Sequence, residues 1–378
     1  MFNVNTLAGN IKKHRIAAGY SQRALADAIL VSPQSVSKWE CGASLPDVEK
    51  IYMIADTLNV SVDTLLGRNE NSKKILIGID GGGSKTEFIA FTDGGEIIGN
   101  HYAGTCNPNV IGVDACVEML IGGINALLGN EISPYGIHVG SAGFLLGGNG
   151  IQIRSALQRR YPRARIECAT DMLNVIASAT DANNCIAAIC GTGSSVLVKR
   201  GDDLTRLGGY GYLIEKAGSG FDIGRDALLA IASELDGFGE HTLLTELAAP
   251  RIGNNVSSII DKVYKKDRAF VASFAAQVFE AYSKGDKVAE KILTENAKAL
   301  ATLINHALDR FGHSFKVVLS GGIVSHSDVF VTMLKEYLPH GISPIVPKYP
   351  QSLGACTLCA KACGVETLGL MERLYEQY

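Results

Sequence analysis

The run ILIGID, residues 75 to 80, ends on one carboxylate, Asp80, and breaks at once into Gly81, Gly82, Gly83, Ser84, Lys85 and Thr86. Residues without side chains let backbone N–H groups approach an anion closely, while hydroxyls and an ammonium add donors and charge. That is the chemistry of a phosphate cradle, and Asp80 would face the phosphates through a metal ion. Two better-known phosphate loops do not fit. A P-loop places glycine directly before its lysine, where Ser84 stands, and the dinucleotide fingerprint requires a third glycine near Glu87. Taken alone, the stretch is equally an ordinary Gly-rich hairpin. A second stretch repeats the design, however: an apolar run over residues 184 to 190 leads into Gly191, Thr192, Gly193, Ser194 and Ser195, followed by VLVKR. Two such hairpins facing each other could grip a nucleotide from both sides. A third chemical group, Asp171, stands where RIECAT gives way to MLNVIASA, the strand end at which open α/β sheets place chemistry; a helix N-cap is the alternative reading.

The elements that position these residues are legible as alternating strands and helices from Ile75 onward, which predicts a layered α/β architecture. Strands are expected at Ile75 to Asp80, Thr86 to Thr92, Arg165 to Thr170 and Asn184 to Cys190, and a helix at Val113 to Leu128. Asn107 and Asn109 fall on a turn. Lys316 to His326 reads as a strand, a Gly-Gly turn and a helix start, and SLGAC (352 to 356) as a turn into a helix.

Residues 1 to 66 read differently, as five short helices. Ser21, Ser32 and Ser61 can cap the second, third and fifth, Pro33 takes the favoured first helical position, and Pro46 and Asp47 open the fourth. The second and third form a helix-turn-helix. Residues 67 to 74, GRNENSKK, are polar and lack apolar periodicity, as a linker does.

A chain of 378 residues is long enough for two or three domains, and 47% hydrophobic, 19% charged residues and 42 glycines suit an α/β protein rich in tight turns. The net charge of -3 gives no global basic field, so nucleic-acid binding would have to be local. Residues 1 to 70 carry seven Lys/Arg against seven Asp/Glu, which predicts modest monomer affinity and a homodimer on paired half-sites. The N-terminus lacks a secretory core and no apolar run reaches membrane-spanning length, so a cytoplasmic location is expected. Nine scattered cysteines fit a reducing compartment rather than a disulfide framework. Cys356, Cys359 and Cys363 cluster near one helix face and read as buried small hydrophobes, with a metal or iron–sulfur role as the alternative.

Through GYSQRALADAILVSPQSVSKWECGASLPD and IADTLNVSVDTLLG, residues 1 to 66 resemble the Cro/C1-type (XRE) helix-turn-helix family. By that resemblance the third helix enters the major groove of duplex DNA, Gln34, Ser35 and Lys38 face bases, Gln22 and Ser37 contact phosphate or flanks, and Trp39 is core. A helical bundle used only for protein contacts is the alternative. Residues 75 to 365 resemble the acetate and sugar kinase/Hsc70/actin superfamily, within it the BadF/BadG/BcrA/BcrD ATPase group that includes N-acetylglucosamine kinase. IGIDGGGSKT and CGTGSS carry the resemblance as phosphate motifs, with VVLSGG (Gly321, Gly322) as the adenosine motif and SLGAC (Gly354). It implies two ribonuclease-H-like lobes, 75 to 182 and 183 to 378, the last helix free to pack back on the first, with ATP and Mg²⁺ in the cleft between them. It further implies that Asn107, Thr192 and Gly209 touch an amino sugar and that Asp171 is the general base. The family's Gly-Asp-Glu-Gly-Ser aligns with Glu215, Lys216, Ala217, Gly218 and Ser219, which puts Lys216 where a sugar-facing aspartate is expected. Lys216 then needs an internal partner, Glu215 or Asp222, or an acidic group on the sugar. Three functions follow: a sugar kinase that binds DNA, a regulator whose kinase-like body only senses ligand, and a dehydratase-activating ATPase with a cysteine-bound cluster.

Overall fold

The computed structural model describes residues 4–67, 73–82, 85–130, 132–145, 147–325 and 327–378. The chain divides into two compact units, Met1–Lys74 and Ile75–Tyr378.

The first unit is all helical: α1 (Val4–Ala17), α2 (Gln22–Ala28), α3 (Pro33–Glu40), α4 (Val48–Thr57) and α5 (Val62–Leu65). The side chains of Ser21, Ser32, Asp47 and Ser61 accept from the backbone N–H three residues on, satisfying a donor that each helix start would otherwise leave orphaned. Leu7, Ile11, Leu25, Ile29, Val36, Trp39 and Ile54 form the core.

A buried charge pair in this unit was not legible in the sequence. Arg15, from α1, bonds Glu40 at the end of α3 through Nε and through Nη2 at 3.0 Å, and Nη1 reaches the Tyr20 carbonyl at 2.6 Å. The two side chains are only 11% and 3% exposed. Burial works to raise the Glu40 carboxyl, but the hydrogen bonds from Arg15 and Gln22 outweigh it and hold the group below its usual range.

The second unit contains two sheets of the same plan. In the first, β1 (Ile75–Gly81), β2 (Thr86–Thr92), β3 (Ile97–Ala103), β4 (Gly136–Ser141) and β5 (Arg165–Ala169) lie in the order β3-β2-β1-β4-β5. β1 is antiparallel to β2 and parallel to β4. In the second, β6 (Asn184–Cys190), β7 (Ser194–Arg200), β8 (Asp203–Leu207) and β9 (Lys316–Ser320) lie in the order β8-β7-β6-β9. The place of a fifth strand is reduced to one parallel bridge, Val318 to Ile345. Each sheet thus begins with an antiparallel hairpin at its centre and extends by parallel crossover, the ribonuclease-H-like arrangement expected.

The 25-residue helix Lys287–Phe311 packs under β6 and β7. The penultimate helix, Gln351–Ala362, instead crosses β1, β4 and the helix Asp171–Ala179 of the first sheet, and the last helix, Leu370–Tyr375, packs on it. Glycines permit that crossing. A Cβ at Gly78 would lie 2.5 Å from the Cys356 N, and one at Gly136 2.2 Å from Cys363 Sγ. Cys356, Cys359 and Cys363 are therefore core thiols fitted against a glycine-floored sheet, and burial pushes Cys356 and Cys359 well above the usual thiol range. No helix among the described residues is long and apolar enough to cross a membrane.

Removing one member of a buried ion pair strands the other, at a cost of about 3–5 kcal/mol. Arg15→Ala should lower the urea midpoint of the first unit accordingly. The chain's single tryptophan, Trp39, lies in that core and reports it alone. Because the Glu40 pKa is depressed, the pair's contribution is present above the unfolded carboxylate pKa and is lost as pH falls through the folded one, so wild type and variant should converge in strong acid.

Candidate active site

The first hairpin places Asp80 at the end of β1, registered with Glu87 on β2 and Gly140 on β4. The Gly82 N–H bonds the Lys85 carbonyl at 2.9 Å across the turn. Glycine is required at 81, since a Cβ would sit 2.0 Å from Cys106 Sγ. Gly83 and Ser84 lie outside the described residues. Lys85 is exposed, its ammonium 5.7 Å above the Tyr102 ring. Thr86 corrects the sequence reading: it is fully buried and its hydroxyl is donated to the Gly104 carbonyl at 2.7 Å, so it anchors the loop and does not face an anion.

Asp80 is held by a chain of polar groups from the interior. Asn174, on the helix Asp171–Ala179, donates Nδ2 to Asp80 Oδ1 at 2.7 Å, and its Oδ1 lies 3.1 Å from Nε2 of buried His138. With the amide nitrogen committed to Asp80, the histidine must donate through Nε2. Burial pushes His138 down to about 4, so it is neutral. The same burial drives Asp80 up to about 7, against the Asn174 bond and with help from the charges of Asp171 and Glu87. Asn174 was missed in the sequence, although it stands three residues after Asp171 and hence on the same helix face.

Asp171 occupies the first turn of that helix. Thr170 is the cap, its hydroxyl accepting from Met172 N at 3.4 Å and donating to Asp171 Oδ1 at 3.1 Å. The aspartate is therefore free of the capping role. Burial raises its pKa, opposed by Thr170 and by the positive charge of Arg206 on β8 of the other sheet.

The second hairpin is closed by Gly191 N to Gly193 O at 2.9 Å, and Gly220 N and Phe221 N tie it to the next helix through the carbonyls of Gly191 and Thr192. It separates two cavities that share Thr192. One, of about 260 Å³, is walled by Gly193, Ser194, Arg206, Gly209, Glu215 and Asp222 among others. The other is walled by Gly191, Gly220, Ala272, Ser273, Gly322 and Ile323. Gly321 adopts φ +103° with its α-carbon hard against the Cys190 backbone, which turns the chain from β9 toward this second cavity.

Three further assignments change. Gly354 is buried inside the helix Gln351–Ala362, not on a turn, and faces no cavity. A Cβ there would lie 2.1 Å from the Asn174 carbonyl, so its role is helix packing. Asn107 caps the short helix Pro108–Ile111, its Oδ1 accepting from Asn109 N at 3.0 Å, and like Asp171 it is not among the residues that wall the first cavity. Lys216 is absent from that wall as well: its ammonium pairs with Asp226 at 2.8 Å, and neither Glu215 nor Asp222 is the partner. Glu215 accepts from Tyr210 N at 2.9 Å, and Asp222 closes a capping box with Ser219.

On α3, Gln34, Ser37 and Lys38 are exposed. Ser35 is half-buried, its hydroxyl 2.9 Å from that of Ser32, and Gln22 gives its amide nitrogen to Glu40 at 2.8 Å. Both side chains already have a partner within the unit, so Gln34 and Lys38 are the better placed of the predicted base contacts.

Residues 77–358 match the BadF/BadG/BcrA/BcrD ATPase family, and residues 11–65 match a helix-turn-helix family. An N-acetyl-D-glucosamine kinase of Dictyostelium discoideum is 25% identical over 321 residues, 79% of this chain and 98% of that protein. The cryptic phage CTXphi transcriptional repressor RstR of Vibrio cholerae serotype O1 is 38% identical over 69 residues, 18% of this chain and 62% of that protein. The fold is shared with a ROK family glucokinase from Streptomyces griseus, solved in complex with glucose and AMPPNP (TM-score 0.51, 16% identity, 76% of this chain and 99% of that one).

Asp80 keeps its proton in the folded state up to about pH 7, whereas unfolded it sheds it near 3.8. Between those values the fold binds the extra proton, so this group's contribution to stability falls as pH rises and is lost above about 7. Asp80→Asn, which has no proton to lose, should therefore gain in melting temperature relative to wild type between pH 5 and pH 8 in metal-free buffer. An equal difference at both values contradicts the assignment.

Proposed function

We propose that this chain, which belongs to the BadF/BadG/BcrA/BcrD ATPase family, is a DNA-binding regulator whose kinase-like unit binds ATP and an N-acetylhexosamine and transfers a phosphoryl group between them. The observation that carries the reading is the pairing of two glycine hairpins on twin sheets, with Asp80 at the end of β1, Asp171 just past the end of β5 on the same sheet, and a cavity on either side of Thr192. The kinase named among the relatives supports an amino sugar as acceptor, and the repressor supports DNA as partner.

Phosphoryl transfer asks the protein mainly for positioning and charge neutralisation. The second cavity, floored by Gly191, Gly220 and Gly322, suits a flat nucleoside, and the backbone of residues 191 to 193 suits its phosphates. The polar first cavity suits the sugar. Asp171, set on a rigid helix start and raised by burial, accepts the proton of the attacking hydroxyl. A magnesium ion fits beside Asp80: magnesium prefers one or two carboxylates completed by water and phosphate oxygens, and Asp80 offers such an oxygen with its other one fixed by Asn174. Bound there, the metal would neutralise phosphate charge.

On the DNA side, Gln34 and Lys38 lie one turn apart on α3, as groove contacts should. Leu45, Val48 and Tyr52 are exposed by 50%, 83% and 66% on the following turn and α4, an apolar strip that supports a homodimer on paired half-sites. Work on DNA supports a cytoplasmic location.

Two outcomes check the reading. With ATP, magnesium and N-acetylglucosamine, ADP should form only when sugar is present, and Asp171→Asn should lower kcat by about 10²- to 10⁴-fold with little change in nucleotide affinity. A parallel loss of nucleotide binding would make Asp171 structural. In a selection from random duplexes, the wild type should enrich a two-fold symmetric motif, and Gln34→Ala should relax one base position per half-site at a cost of about 1–3 kcal/mol.

A further inference from the structure

Two buried polar atoms in the wall of the first cavity take no hydrogen bond among the described residues: Asp222 Oδ1 and Ser194 Oγ. The aspartate is 2% exposed. Its other oxygen, Oδ2, is saturated by Ala217 N at 3.1 Å, Ser219 N at 3.0 Å and Ser219 Oγ at 2.8 Å. The carboxylate is thus locked by one oxygen and presents the other. The cation nearest Oδ1 is Arg225, whose Nη2 lies 3.2 Å away without hydrogen-bond geometry on a side chain 39% exposed. A native fold seldom leaves a buried acceptor and a buried hydroxyl of the same cavity wall both without a hydrogen bond unless a ligand completes them. Lys216 cannot supply the missing donor, because Asp226 holds its ammonium at 2.8 Å and is itself held by Asn296 at 2.9 Å.

The chemistry of the wall selects the ligand. A carboxylate oxygen only accepts, so the partner must donate; a serine hydroxyl both donates and accepts, so its partner can do either. Glu215 stands in the same wall. Arg206 and Arg268 line the wall too and balance the two carboxylates, so net charge does not select the ligand; the hydrogen-bond chemistry does, since vicinal sugar hydroxyls satisfy both orphan atoms without adding charge. We propose that Asp222, together with Ser194, is the specificity-determining pair of the acceptor cavity, with Oδ1 of Asp222 accepting from a hydroxyl of a neutral N-acetylhexosamine. The pair takes the place that the loop alignment gave to position 216, and the inference rests on the amino-sugar reading of this cavity.

Calorimetric titration of the full chain with N-acetylglucosamine and, separately, with AMPPNP tests it. Asp222→Asn keeps an oxygen for the cap while turning the cavity side from acceptor to donor; it should weaken N-acetylglucosamine binding by about tenfold or more and leave AMPPNP within about twofold. Ser194→Ala should weaken the sugar by a smaller factor, and Lys216→Met should leave it unchanged. Sugar affinity equal to wild type in Asp222→Asn overturns the proposal while the amino-sugar reading stands. Failure of the wild type to bind N-acetylglucosamine while it binds AMPPNP overturns both. If Asp222→Asn loses AMPPNP as well, the cap has failed and Ser194→Ala decides: unchanged sugar affinity there overturns the proposal.

Discussion

The hydrogen bond from Asn174 to Asp80 is the contact on which the geometry of the phosphate end depends. A carboxylate at the end of a central strand is costly if charged and unpaired, and the charges of Asp171 and Glu87 that act on it are acidic too. An amide is the compromise: it fixes one oxygen without neutralising the group. The surrounding sequence is shaped to admit that amide. Gly140, opposite Asp80 on β4, would clash with the Asn174 side chain at 2.2 Å if it bore a Cβ, and Gly354 would meet the Asn174 backbone at 2.1 Å. One residue therefore accounts for two glycines on two elements. It also accounts for a neutral histidine, whose Nε2 is occupied by the amide oxygen while Nδ1 takes no hydrogen bond among the described residues.

The same helix start carries Asp171, so the two carboxylates are positioned by one rigid helical turn, Asp171 to Asn174. That coupling explains why the penultimate helix Gln351–Ala362 returns to the first sheet after the second is complete. Its packing on β1, β4 and the helix Asp171–Ala179 clamps the element on which both acidic groups depend. Protein cores are close-packed enough that such a clamp tolerates little: a methyl group at Gly78, Gly136 or Gly354 would displace backbone or thiol sulfur.

The two hairpins and all five helices of the first unit were legible, because periodicity, capping residues and glycine-hydroxyl turns are local signals; the arrangement of the sheets was reached only through the family resemblance, and β3 and β8 were not anticipated. β2 and the helix Val113–Leu128 have the expected limits, and strand β6 does too. What local pattern could not show is which side of an element a residue serves. Thr86 belongs to a phosphate-loop string yet points inward to Gly104, and Gly354 belongs to a nucleotide-motif string yet serves a helix crossing. Lys216 was correctly seen to need a partner, but Asp226 lies a further turn and a half along the next helix and only the folded chain brings it near. Arg15 and Glu40 are 25 residues apart, and Arg15 resembled the solvent-facing Lys12 and Lys13 beside it until tertiary packing buried it. The Ser219-x-x-Asp222 capping box could have been read in advance, and with it the fixed orientation of Asp222.

The central claim, that Asn174 orients Asp80 for the metal-bearing end of a bound nucleotide, is open to direct measurement. Manganese, used in place of magnesium, can be titrated into the full chain with ADP and followed by electron paramagnetic resonance in wild type and Asn174→Ala. The account predicts that the variant binds manganese in the ADP complex about tenfold more weakly, while its affinity for ADP without metal changes little. Equal manganese affinity in the two proteins, with ADP bound in both, contradicts it.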